Sequence, residues 1–266
     1  MAVMDEFKEE RAKVKDMSLR EKIDYFVYYH KVAIMMTVLI SIIAVTAIHD
    51  ALTRKDTALH VALIDCLTID YTGHTGTDYQ KILTEKLGID SKTHTVVLDN
   101  TYVLSAIEYA ADESVLQLPE ILYTRFAGGS LDAFVAQEST INGWVMNDGF
   151  LDLREEMTPE QYEYYKDSFY WIDYAILKDY ELDFDKGAYV YNEDHRSPEG
   201  MKEPMPVGVY VTPNEEFFEY YSFLYDQEVV FCLTYTVHDE KDQYNGTKKA
   251  LDLLDFWSGR TAPVTE

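Results

Sequence analysis

Val32 to Ile48 is a run of seventeen residues without a charge, a proline or a glycine. So apolar a stretch must be covered, by protein or by lipid. A helix over it, at ~1.5 Å per residue, is roughly 25 Å long, the lower end of what spans a bilayer core. A buried core helix is the alternative for so short a run, and the flanks argue against it. Tyr25, Phe26, Tyr28 and Tyr29 crowd one edge as an aromatic belt, and Lys31 adds reach by snorkelling. The expectation is one transmembrane helix over residues 32–48.

Orientation follows from the basic residues on each side. Lys8, Arg11, Lys13, Lys15, Arg20, Lys22 and Lys31 precede the run, against Arg54 and Lys55 shortly after it. That bias predicts a single-pass protein of the cell membrane: residues 1–31 cytoplasmic, 49–58 a linker, and 59–266 an extracytoplasmic domain. A cleavable signal peptide would need a charged region of some thirty residues, and no A-x-A-like site follows His49. Nor does Cys66 suit lipid modification, since Asp65 precedes it and it lies well past the span. An uncleaved anchor is expected.

Charge separates the two parts. Residues 1–55 hold nine Lys and Arg against eight Asp and Glu, whereas residues 56–266 hold fourteen against forty. An outer part this acidic excludes electrostatic binding to nucleic acid or to an anionic lipid surface. It is nevertheless rich in Tyr, Phe, Leu, Val and Ile, so it can bury a core. Cys66 and Cys232 lie in or beside strand-like runs and suit either a disulfide across a long loop or two buried thiols. No CxxC, HExxH, Walker loop, GxGxxG or GxSxG occurs, so no metal, cofactor or catalytic residue is expected and the chain does not read as an enzyme. Glu181 to Gly187 resembles a calcium loop, but glycine falls at position seven and Asn192 at position twelve.

Along the chain, Ser18-Leu-Arg-Glu21 is a capping box opening an amphipathic helix that lies on the membrane or runs straight into the span. Ala33, Thr37, Ser41 and Ala44 form a small-residue stripe within it. Strands are predicted at 59–64, 95–98, 131–136, 207–211 and 229–237. Helices are predicted from about Thr77 to Gly88, from Pro119 to Gly128, over 138–147, and from the Thr158-Pro-Glu-Gln161 capping box. Two more follow, from Thr212-Pro-Asn-Glu215 through Leu224 and over 247–258, with 171–206 irregular between. Strands alternating with helices predict an α/β domain with a largely parallel sheet. Tyr162, Tyr164, Tyr165, Phe169, Tyr170, Trp171 and Tyr174 could line a groove, though aromatic residues so spaced usually pack a core.

Two resemblances follow from particular stretches. Lys13 to Lys31, the apolar run, and Thr53 to Asp65 together resemble a family of uncharacterised single-pass membrane proteins of clostridia-like Gram-positive bacteria. Ile121 to Val135, Gly149-Phe-Leu-Asp-Leu153 and Lys249 to Trp257 resemble type 2 periplasmic-binding-protein domains, the solute receptors of transporters. The chain departs from those receptors in lacking a lipobox and in leaving only about 138–205 for a second lobe. The resemblance implies ligand contacts where strand ends meet helix starts. These fall at Asp65 and Tyr71 after the first strand, Asp99 after the second, Gln137 and Glu138 after the third, and Tyr210 in the returning strand. Asp65 and Glu138 would suit an amine or other cation. The expected function is a membrane-tethered module that senses or captures a small solute or peptide. The alternative is a non-enzymatic envelope scaffold with a protein partner.

Overall fold

The computed structural model describes residues 18–69, 75–105, 116–182, 194–237 and 243–260. It divides into two compact units, Met1–Arg54 and Lys55–Glu266.

In the first unit, helix α1 spans Leu19–Thr53. Ser18 opens it as predicted: its hydroxyl accepts from the Glu21 N–H, and the Glu21 carboxylate accepts from the Ser18 N–H at 2.8 Å. The helix runs unbroken from this cap through the apolar stretch, so the amphipathic segment and the span are one element. It also ends later than the expected linker start, at Arg54, whose N–H donates to the Asp50 carbonyl. The window long and apolar enough to cross a membrane is His30–Asp50, 21 residues. That is about 31 Å of helix, matching a hydrocarbon core of about 30 Å. Inside it the Thr37, Ser41 and Thr46 hydroxyls donate to carbonyls one turn back, so these polar groups are satisfied within the helix.

The second unit is α/β. In chain order it comprises β1 (Asp56–Leu63), β2 (Cys66–Thr68), α2 (Gly76–Lys86), β3 (His94–Asp99), α3 (Leu118–Ala127) and β4 (Ala133–Ala136). Then come α4 (Glu138–Trp144), α5 (Leu153–Glu156), α6 (Pro159–Tyr165), β5 (Phe169–Asp173) and α7 (Tyr174–Leu182). It closes with β6 (Pro204–Val211), α8 (Glu215–Phe218), β7 (Tyr221–Phe223), β8 (Val229–Leu233) and α9 (Gly246–Trp257). The main sheet has the order β3-β1-β4-β8-β6-β5. β1 pairs in parallel with β3 and β4, while the β4–β8, β8–β6 and β6–β5 pairs are antiparallel. β3, β1, β4 and β6 therefore share one direction, and β8 and β5 oppose it. The sheet is largely parallel by strand direction but mixed by pairing.

Both faces of the sheet are covered. Leu59, Val61, Val135, Val209 and Phe231 face one core, closed by Tyr79 and Leu83 of α2 and by Leu251, Leu254 and Trp257 of α9. Ala62, Phe134, Val207, Val230 and Cys232 face the other, closed by Leu122 and Phe126 of α3, Ile141 of α4 and Leu177 of α7. Two-sided burial is why β1, β4 and β8 read as continuous apolar runs rather than alternating ones. Cys66 belongs to the first core and Cys232 to the second; both are free, which removes the disulfide alternative. Burial raises the pKa of each thiol well above its ordinary value.

Three expectations change. Phe169–Asp173, within and beside the stretch read as irregular, is the edge strand β5; it is largely buried and so lacks alternation. The helix after Asn214 stops at Phe218 instead of reaching Leu224, and Tyr221–Phe223 turns back as β7. β7 pairs antiparallel with β2, which is not among the predicted strands, to form a second, two-stranded sheet. The last strand ends at Leu233, with Thr234 bridged singly to Phe150. The calcium-like segment beyond Leu182 lies outside the described residues.

The Thr158 capping box ties into the core. The Gln161 side-chain oxygen accepts from the Thr158 N–H, and its nitrogen donates 3.1 Å to Asp255 of α9. Tyr165 donates 2.8 Å to the same carboxylate, and Arg260 pairs with it. Asp255 is 3% exposed, so deleting it strands the Arg260 cation and the Gln161 side-chain nitrogen in low dielectric. Asp255→Ala is expected to cost about 3 kcal/mol, typical of breaking a buried pair, read as an earlier urea-unfolding midpoint by tryptophan fluorescence.

Candidate functional site

Parallel strands bring their carboxyl ends to one edge, and at a 2-1-3 strand order the connections diverge between the first and third strands. Here those are β1 and β4, so Asp65 and Gln137–Glu138 leave the sheet side by side. Val211 at the end of β6 and Val229 at the start of β8 lie on the same edge, because β8 runs the opposite way.

Most expected contacts at this edge are committed to the fold. Asp65 is 4% exposed and takes the left-handed conformation, φ 51°. Its carboxylate accepts from the Ser105 N–H and hydroxyl at 2.9 and 2.8 Å. Its own N–H donates to the Tyr102 carbonyl, and its carbonyl accepts from the Leu224 N–H. Asp65 thus knots three loops. Asp99 accepts from Arg125 at 2.6 Å and from the Thr101 hydroxyl, with the His60 imidazole 3.8 Å away. Burial opposes its ionisation, yet His60, Thr101 and the Arg125 charge hold its pKa well below the carboxylate range. Gln137 donates to the Asp226 carbonyl at 2.8 Å. Tyr71 lies outside the described residues.

Glu138 and Tyr210 are brought together. Tyr210, on β6, is 7% exposed, and its hydroxyl has no hydrogen-bond partner. Burial raises its pKa and the Glu138 carboxylate raises it further. The register explains the meeting: Ala136 pairs with Val230, which pairs with Tyr210, and Glu138 follows Ala136 by two residues.

The residues that complete this cluster are barely marked in the sequence. Arg196 stacks on the Tyr210 ring, its guanidinium carbon 3.7 Å from the ring centroid, and its Nη2 donates to Glu228 at 2.6 Å. Its segment is pinned to β5. The Trp171 N–H donates to the His195 carbonyl, and His195 Nδ1 donates to the Trp171 carbonyl, each at 2.8 Å. The His195 ring stacks on Tyr170 at 4.4 Å, which in turn tilts against Tyr210 at 5.8 Å. Asp173 fastens the far end by accepting from the Lys202 and Glu203 N–H groups at 2.9 Å. The only signal in the sequence was a His-Arg pair in a strongly acidic stretch.

Elsewhere on the unit the described residues line further depressions. One, of about 260 Å³, opens at the amino end of β1, where buried Asp132 accepts from the His60 N–H and Gly246 packs against its carboxylate. A broader one of about 580 Å³ lies beside Asp152, Arg154 and Glu203. Neither holds an expected contact residue. Among the described residues no group of three or more His, Cys, Asp or Glu side chains is placed to hold a metal ion.

The Asp99 cluster makes a pH prediction. A carboxylate with a depressed folded pKa contributes its stability above the unfolded value of ~3.9 and loses it as pH falls towards the folded one. Arg125 is partly exposed and the pair correspondingly screened. Asp99→Asn should therefore cost about 1 kcal/mol in urea unfolding at pH 7, with the gap to the parent narrowing as pH falls below 4.

Comparison of the chain with protein-family models, curated proteins and solved structures returns no match, so its function is argued from this geometry.

Proposed function

We propose that the chain is a membrane-tethered solute-binding or sensing module, with α1 as the anchor, the N-terminus in the cytoplasm and the α/β unit outside. The observation that carries the reading is Tyr210: a buried hydroxyl without a partner, beside a carboxylate, at the carboxyl edge of the sheet. A buried, unsatisfied hydroxyl costs free energy, and function is one reason a fold retains it. Three further features support the reading. His30–Asp50 has the length and apolarity of a span. The basic residues lie mostly before it. The strand order opens the sheet beside β1 and β4, where α/β proteins bind ligands. The likeness to periplasmic binding proteins remains part of this proposal, resting on the stretches Ile121–Val135 and Lys249–Trp257.

An envelope scaffold is the second reading, and the small sheet favours it. Leu67 of β2 is 44% exposed, and Leu224 and Tyr225 just after β7 are 40% and 71% exposed. These apolar side chains suit a protein partner.

A thermal-shift panel on the full chain in detergent micelles separates the two. Sugars, amino acids, short peptides, polyamines and divalent cations are each added in turn. A ligand at ~100 times its Kd adds about 2.7 kcal/mol, which is about 5–10 °C for a unit of this size. One such shift, weakened by Glu138→Gln, is the expected result. A melt unmoved by the whole panel contradicts solute binding and favours the scaffold.

A further inference from the structure

The occupant of the Tyr210 ring face says what chemistry this edge accepts. Arg196 lies flat against the ring at 3.7 Å and donates to Glu228, in a unit where basic side chains are scarce. Its side chain is 53% exposed, so it can swing into water, whereas Tyr210 beneath it cannot. An ion pair this exposed holds weakly, so a competing cation displaces it at little cost.

The groups left at the edge are an aromatic face, the Glu138 and Glu228 carboxylates and the Tyr210 hydroxyl oxygen, which has no partner. All of them can accept. A planar guanidinium carries five N–H donors and no acceptor, and it stacks on aromatic rings. An anion would meet two like charges here, and a neutral polyol would leave both carboxylates without a counter-charge.

Resting on the solute-binding reading, we propose that the Glu138–Tyr210 edge binds a small organic cation with a guanidinium head, and that Arg196 occupies the place of that head in the unliganded protein. Ligand entry displaces Arg196 from Tyr210, and the incoming head donates to Glu138 and to the Tyr210 hydroxyl oxygen.

Agmatine is the probe, titrated calorimetrically into the full chain in detergent micelles, with N-carbamoylputrescine, which keeps the ammonium tail but replaces the guanidinium head by a neutral ureido group, as its isostere. Arg196→Ala removes the internal occupant and should bind agmatine about two- to fivefold tighter than the parent, as the loss of an exposed pair allows. Adding Glu138→Gln or Tyr210→Phe to Arg196→Ala should then lose at least tenfold, and N-carbamoylputrescine should bind none of the proteins tightly. Tyr210→Phe keeps the ring and its packing, and urea unfolding of that variant beside the parent separates loss of binding from loss of fold. Equal agmatine affinity in the parent and in Arg196→Ala, or no binding to either, overturns the proposal, as does equal binding of the ureido-headed isostere. If a neutral solute stabilises the parent while agmatine fails, the solute-binding reading stands and the guanidinium site falls. If nothing binds, both fall.

Discussion

Burial on both faces governs the α/β unit. Leu59, Val61 and Leu63 of β1 point into one core while Ala62 points into the other, and β4 and β8 are filled in the same way. Side chains within such strands are consumed by packing, and helices must cover both faces of the sheet. Polar chemistry is consequently pushed to the strand ends. At the carboxyl edge, four strands sharing one direction and the start of β8 gather Asp65, Asp99, Glu138, Tyr210 and Glu228.

Acidity is handled differently inside and outside. Asp65, Asp173 and Asp255 are buried, and each accepts several hydrogen bonds that tie distant segments together. Removing such a carboxylate disturbs stability rather than recognition. At the Glu138–Tyr210 pair a buried phenol lacks a partner, as Tyr102 does beside Asp99, and the cation stacked on it, Arg196, sits on a half-exposed side chain. The acidic surplus of the α/β unit thus serves partly as internal fastening, at Asp65, Asp173 and Asp255.

Local grammar was legible in the sequence wherever one short stretch fixed its own backbone. Ser18-x-x-Glu21 and Thr158-Pro-x-Gln161 both form the capping boxes they spell, and Gly88 takes the positive φ that stops α2. The alternation of strands and helices gave the α/β class. Pairing direction was not legible, because β6 and β8 read alike as apolar runs whichever way they lie. β5 was lost because Phe169-Tyr-Trp-Ile is aromatic and largely buried, so no period marks it. At the site, Glu138 and Tyr210 were foreseeable as strand-end residues. Arg196 was not: Asp173 and Trp171 place it through contacts that close only in three dimensions.

Solute binding at the carboxyl edge, as proposed, can be told apart from binding at the amino-end depression beside Asp132. Single-site 3-fluorotyrosine at position 210 or at position 244, which lines that other depression, reports on each directly by fluorine NMR. The account predicts that a stabilising solute moves the Tyr210 resonance and leaves Tyr244 in place. A solute that moves Tyr244 while Tyr210 stays fixed would contradict it.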